Sequence, residues 1–225
     1  MICYLGIFIL FDYLLNIFSI EGRYYINHFI GNMIIVYNTL YCVSNSYKLV
    51  CINECASLLD KNDNNCDYDS IDLSRNIIYA LHFYHVIWYF NKLRKDDWIH
   101  HIIMVLVALP LSHLSDKYNV IGHSFFFLTG LPGGLDYLLL FLVRNNIIDK
   151  MIEKKINRGL NLWIRCPGCI ATVVLIFINS NKLSYIESIG SYILIIAVYW
   201  NGIYFMEQTV SNYAIEIYKK ETNLI

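Results

Sequence analysis

The run Arg94-Lys95-Asp96-Asp97-Trp98-Ile99-His100-His101 stands at the head of an apolar stretch, residues 102–111. Asp96 and His100 are four apart, as are Asp97 and His101, so on a helix each pair shares a face. A carboxylate so placed fixes the tautomer of an imidazole and raises its basicity, which suits a general base. A second centre is Leu128-Thr129-Gly130-Leu131-Pro132-Gly133-Gly134-Leu135-Asp136-Tyr137-Leu138. Pro132 has no backbone donor and its ring clashes with the preceding turn, so a kink or break is predicted near Leu131. Asp136 follows one turn later, where it can take a proton or orient a histidine from a neighbouring helix. The expected catalytic set is therefore His100, His101 and Asp136. The plainer alternative is that Lys95, Asp96 and Asp97 cap a helix start, where acidic residues suit the N-terminal dipole, and that Asp136 caps a restarted helix.

The elements that would hold these residues follow from composition. Apolar residues make up 57% of the 225-residue chain and charged residues 16%, against about 25% charged in soluble domains. The mean hydropathy is +0.45. An all-α polytopic integral membrane protein is predicted, and a net charge of -1 gives no reason to expect a nucleic-acid partner. The apolar runs predict about seven transmembrane helices, near 2–20, 26–44, 74–92, 98–115, 119–143, 162–180 and 184–206. The first run lacks a basic n-region and a small-residue cleavage site, so it reads as a retained span. With the N-terminus outside the cytosol, the cytosolic side receives Arg23, Lys92, Arg94, Lys95, Arg144, Lys150, Lys154, Lys155, Arg158, Arg165, Lys219 and Lys220. The opposite side keeps Lys48, Lys61, Arg75, Lys117 and Lys182, a division that follows the positive-inside rule.

That orientation puts His100 and His101 at the cytosolic start of the fourth span, with His28 and Asn32 opening the second from the same side. His85 lies about two turns inside the third span and Asp136 at a similar depth in the fifth, at ~1.5 Å per residue. Asn201, Glu207, Gln208 and Asn212 mark the cytosolic end of the last span. Ionisable groups at membrane depth usually face a bundle interior or a polar cavity. A lipid or substrate cavity lined by His85, Asp96, Asp97, Asn201 and Glu207 is therefore expected around the catalytic set. His101 shares a stripe with Ala108 and Ser112, small residues that let helices approach, and is the histidine expected to face inward. His82, His85, His100 and His101 are the types a borderline metal accepts, but no cysteine accompanies them and no metal is expected.

The segment 45–73 is a long polar loop, expected outside the cytosol, with Cys42, Cys51, Cys55 and Cys66 at its edge or within it. If that compartment is oxidising, one or two disulfides form there, with pairing that sequence cannot supply. Cys166-Pro167-Gly168-Cys169 has redox-type spacing without the βαβ context of a redox fold, so a helix kink is expected instead. Between Arg144 and Asn161, Ile147, Ile148, Met151, Ile152 and Ile156 recur at helical spacing among basic residues. They predict either an amphipathic helix on an anionic cytosolic leaflet or a solvated loop.

The aromatic-rich run from Tyr79, the short charged loop and the His-His that opens the next span, continuing through Leu111, together resemble the TLC-domain superfamily. That superfamily includes ceramide synthases and translocating-chain-associating membrane proteins. Asp96 matches an acidic position before the family's histidine pair, and Asp136-Tyr137-Leu138-Leu139 looks like the second aspartate segment of ceramide synthases. The resemblance covers approximately residues 26–218, leaving 1–25 as an N-terminal transmembrane helix and 219–225 as a cytosolic tail. Two positions depart from the ceramide synthases: Pro132-Gly133-Gly134-Leu135-Asp136 keeps only the last acid of their segment, and Leu93 replaces an aspartate in the lead to the histidine pair. The resemblance implies a TLC-like bundle in the endoplasmic reticulum or a related endomembrane. It also implies membrane lipids as partners, leaves room for a homo-oligomer, and requires no cofactor. Two functions follow: lipid binding, sensing or trafficking without turnover, or N-acyl transfer with acyl-coenzyme A as substrate.

Overall fold

The computed structural model describes residues 1–51, 67–93, 95–113, 118–180 and 185–222. Among these the chain forms seven helical rods. α1 is Ile2–Ile17, α2 is Arg23–Cys51 and α3 is Tyr68–Trp88. α4 (95–113), α5 (118–144) and α6 (150–180) each consist of two α-helical stretches joined through one wider, π-helical turn, and α7 is Tyr185–Glu221.

Three stretches, Asn119–Arg144, Lys150–Ile178 and Ser188–Glu221, are long and apolar enough to cross a membrane, whereas α1 and the Asp97–His113 stretch are apolar but shorter. The seven expected spans thus correspond to seven rods, of which three meet that standard among the described residues. α2 and α3 fall short because of their polar residues. Those polar residues are the ones turned inward: Asn27, His28, Asn32, Thr39 and Ser46 on α2, and Ser74, Arg75 and His82 on α3, are all buried. Large apolar residues face outward instead, including Tyr37, Leu106, Trp163 and Ile196. Such a surface fits a lipid environment and would be a liability in water.

The three prolines explain the three wide turns. Pro110, Pro132 and Pro167 each stand two residues after a π-helical turn, at 104–108, 126–130 and 161–165. A helical proline cannot donate, and its ring collides with the carbonyl four residues back. The residue just before each proline reaches one position further than usual: Leu109 N–H donates to Met104 O, Leu131 N–H to Phe126 O, and Cys166 N–H to Asn161 O. This widening absorbs the proline without ending the helix. The break expected near Leu131 is therefore a π-helical turn inside a continuous α5. Cys166 and Cys169 are buried free thiols at the start of the α-helical stretch that follows the wide turn of α6.

Three further boundaries differ from expectation. α2 runs on to Cys51 and α3 starts at Tyr68, so helix consumes both ends of the expected loop 45–73. Its centre, with Cys55 and Cys66, lies outside the described residues, as does the side chain of Cys51; Cys42 is disulfide-bonded. The amphipathic segment is helical, capped by Asp149 Oδ1 accepting from Met151 N–H at 2.7 Å, but it continues into α6 as one rod. Its buried face is the polar one, Glu153 and Asn157, while Ile152 and Ile156 are exposed. Arg165, expected in a cytosolic segment, consequently lies within α6 and is only 5% exposed.

α2 is central, packing on α1, α3 and α5, while α6 sits between α5 and α7. Gly133 and Gly134 let α5 approach α2 closely: a Cβ on either would meet Asn32 at 3.2 Å. α1 is held by a carboxylate. Asp12, 1% exposed, accepts hydrogen bonds from Tyr84 Oη, from Tyr89 Oη at 2.6 Å and from Arg23 Nε at 3.2 Å. Tyr84 Oη also accepts from Asn27 Nδ2 at 3.0 Å, so one buried acid joins α1, α2 and α3. Replacing it, Asp12→Leu, leaves the buried Tyr84 hydroxyl without its acceptor and is expected to destabilise the bundle by about 1–3 kcal/mol. A lowered thermal midpoint in detergent is the expected readout, and an unchanged midpoint would show that the clasp is dispensable.

Candidate functional site

Imidazoles from three helices converge where α2, α3 and α4 meet. α2 has a polar stripe at four-residue spacing, Tyr24, His28 and Asn32, and α3 contributes His82 and His85 from one face. α4 begins with the histidine pair. His101, 5% exposed, places Nε2 2.8 Å from His85 Nδ1, and the same His85 nitrogen lies 3.2 Å from Tyr24 Oη. Tyr24 Oη is in turn 3.1 Å from Tyr137 Oη on α5. His28 stacks on Tyr137 with ring centroids 4.4 Å apart. His82 contacts both members of the pair, 5.4 Å from the His100 ring and 5.0 Å from the His101 ring. His101, His85, Tyr24 and Tyr137 therefore form a continuous chain of exchangeable protons across α4, α3, α2 and α5.

One tautomer follows from the partners. His82 Nδ1 lies 2.8 Å from the Ile78 carbonyl oxygen, which can only accept, so His82 carries its proton on Nδ1. Its Nε2 is then a bare lone pair; that atom, His28 Nε2 and His101 Nδ1 are all buried without a hydrogen-bond partner. Asp97, four before His101, bears electrostatically on His85, His101, Tyr24 and Tyr137. The Asp96 side chain lies outside the described residues. Among the described residues no group of three or more His, Cys, Asp or Glu is placed to hold a metal ion.

Next to this cluster a cavity of ≈ 80 Å³ opens between α4, α5, α6 and α7. Its walls are mainly apolar, with Met104, Leu109, Ile121, Leu128, Leu194 and Val198 among them. On α4 the lining runs from His100 to Ser112, about 18 Å at the rise of a helix. The helices alternate in direction, so His100 on α4, Thr129 on α5 and Asn201 on α7 are the lining residues nearest one common end. The cavity thus ends against polar groups, including Asn201, 6% exposed with its Oδ1 unpartnered. Both histidines face inward, with different tasks: His100 borders the cavity, and His101 stands behind it in the proton chain.

Asp136 is turned another way. Its Oδ1 accepts from Asn157 Nδ2 at 2.6 Å on α6, and no contact links it to either histidine of the pair; its neighbour Tyr137 makes that connection. Asn157 Oδ1 accepts from Asn161 Nδ2 at 2.6 Å, and Asn161 Oδ1 accepts from Arg165 Nη1 at 2.9 Å. Glu153, 1% exposed, extends the series. The structure therefore brings together His85, Asp97, His100 and His101, places Asn201 beside His100 at the cavity, and sets Asp136 in an adjoining polar ladder. Glu207 is exposed on α7, because six residues after Asn201 the helix has turned well past the cavity face. Tyr24, Tyr137 and Arg165 were not foreseen as site residues. The four-residue spacing of Glu153, Asn157, Asn161 and Arg165 is the signal that would have found the ladder.

No family model, curated protein or solved structure matches the chain.

The tautomer argument is directly measurable. In protein carrying ¹⁵N-labelled histidine, solid-state NMR is expected to show His82 with a protonated Nδ1 and a bare Nε2, identified by loss of the signal in His82→Gln. A proton found on Nε2 would break the Ile78 hydrogen bond and contradict the arrangement of the cluster.

Proposed function

We propose that this chain is a multi-pass membrane protein of TLC-like architecture that holds a lipid chain in the cavity between α4, α5, α6 and α7, with His100 at the polar end. The observation that carries this reading is the cavity itself: a long apolar space, closed at one end by His100, Thr129 and Asn201, in a bundle whose outer surface is apolar. Binding sites for small apolar molecules are typically concave, mostly apolar and oriented by a few polar groups. The rod count, the outward apolar residues and the inward polar ones support a membrane bundle. The disulfide-bonded Cys42, near the end of α2 away from the histidines, supports an oxidising lumen on that side, as in the endoplasmic reticulum or a related endomembrane.

A second reading, N-acyl transfer from acyl-coenzyme A, is favoured by one particular: a cavity-lining His100 packed on His82 and His101, backed by the chain to Tyr137. In that reaction an amine nitrogen attacks the thioester carbonyl, the C–N bond forms and the C–S bond breaks. His100 takes the amine proton and returns it to the departing thiolate. The lipid-binding reading is preferred because it needs only the cavity, whereas turnover also requires an amine site for which no group has been assigned.

Two substitutions separate the readings. Ala197→Phe fills the cavity from α7 and is expected to abolish co-purification of lipid while costing at most about 1–3 kcal/mol of stability; unaltered lipid content would refute the cavity as the site. His100→Ala is expected to keep the lipid. If the wild type transfers acyl groups from acyl-coenzyme A to a long-chain amine, His100→Ala should slow transfer by about 10²–10⁴-fold; absence of transfer by the wild type removes the enzymatic reading and leaves the binding one.

A further inference from the structure

Arg165 is a buried cation with almost none of its donors used. It is 5% exposed, in the span of α6, and its hydrogen bonding within the protein is a single Nη1 donation to Asn161. Nε is buried with no partner, and among the described residues no carboxylate lies within ion-pair distance of it. Its guanidinium rests on the Phe205 ring at 4.7 Å. The other groups that bear on it are Asp136, Tyr137, Cys169 and His100. Asp136 acts on Arg165 through space from beyond ion-pair distance, and its hydrogen-bonded connection to the guanidinium runs through Asn157 and Asn161.

The Nη2 of this arginine packs close to Gly133. A Cβ built on Gly133 would lie 3.2 Å from Asn32 Nδ2 and 3.5 Å from Arg165 Nη2, so two donor nitrogens flank one patch of bare backbone. Neither nitrogen donates to an acceptor among the described residues; Asn32 uses its Oδ1, which accepts from Thr129 at 3.1 Å. Thr129 lines the cavity, and so does His100, whose ring stands 6.2 Å from that of Phe205. Asn32, Gly133 and Arg165 thus stand just behind the lining at the polar end of the cavity, Asn32 bonded to Thr129 and Arg165 resting on the Phe205 that meets His100. A guanidinium held away from water and unpaired is expensive, and its fork of N–H groups matches the two oxygens of a carboxylate.

We propose that Arg165 and Asn32, across Gly133, form a carboxylate-binding site, and that the lipid in the cavity is a long-chain fatty acid with its head group seated there. This rests on the cavity reading above and adds the chemical class of its occupant. The apolar chain lies along α4 and α7 toward Ser112 and Ser191, and the carboxylate replaces the missing acceptor of Arg165.

Binding of radiolabelled oleate to the detergent-solubilised full chain tests this, with unlabelled oleate, methyl oleate and acetate as competitors. Oleate is expected to compete at least about tenfold better than methyl oleate, the loss typical of one charge-assisted hydrogen-bonded group, and acetate not at all. Arg165→Gln should weaken oleate by a similar factor and leave methyl oleate unchanged, with Arg165→Lys intermediate. If methyl oleate competes as well as oleate, the carboxylate site is wrong while the cavity reading stands, and this comparison needs no variant to fold. If acetate displaces oleate, the site takes a small free anion and the fatty-acid assignment fails. If the wild type binds no oleate but still co-purifies with lipid, the fatty-acid assignment fails and the cavity reading stands; if Ala197→Phe leaves oleate binding intact, both proposals fall.

Discussion

Polar groups that are kept from water must find their partners inside the bundle, and this requirement organises the whole molecule. An unpaired buried donor or acceptor costs about 1–3 kcal/mol, and within a bilayer no solvent is at hand to relieve it. The chain meets the requirement locally and at long range. Thr39, Ser46, Ser74 and Thr172 each return a hydroxyl to the carbonyl four residues back, at 2.7–2.9 Å. Asp12, the histidine cluster and the α6 ladder pair across helices. The exceptions among the described residues are Asn27, His28, His82, His101, His123, Arg158, Arg165 and Asn201, which keep buried nitrogens or oxygens without partners. His28, His82, His101 and Asn201 lie in the histidine cluster or at the polar end of the cavity, and Arg165 lies just beyond Phe205; Asn27, His123 and Arg158 lie elsewhere in the bundle.

Shape is supplied by prolines and glycines. Each proline comes with one wide turn that keeps its rod continuous but shifts the faces on either side of it. In α4 that shift lies between His100 and Ser112, so the small-residue stripe read from an ideal wheel, His101 with Ala108 and Ser112, is replaced by a cavity wall of His100, Met104, Ala108 and Ser112. In α6 it lies between Asn161 and Arg165, at the inner end of the ladder. Gly133 and Gly134 act differently: they remove side chains where α5 meets α2, which brings Asn32 and Arg165 to one surface.

Much of this was legible in the residues. The inward direction of His101 at the head of an apolar helix was readable, as was the approach of the Asp97 charge to it, because spacing of four is a local property of any helix; that His100 would border a cavity was not. The seven rods were readable in number but not in extent, since the polar residues of α2 and α3 lower hydropathy while serving the interior. Asp136 was misread as a partner of the histidines. Its depth was suited to that task, but its direction around α5 was set by the turn before Pro132, and Tyr137 took the place expected for it. Arg165 was assigned to a cytosolic segment because charge alone suggested solvent. Only the continuity of α6 and the series from Glu153 to Arg165 show it as an inward residue.

The central claim is that a lipid chain occupies the space between α4, α5, α6 and α7. A fatty acid with a diazirine near its methyl end, cross-linked by light in reconstituted membranes and mapped by mass spectrometry, tests this most directly. Adducts are expected on inward residues of the cavity such as Ile121, Leu194 and Val198, and should fall away when excess unlabelled fatty acid is present. Adducts confined to the outward-facing Leu106, Trp163 and Ile196, insensitive to competitor, would contradict the account.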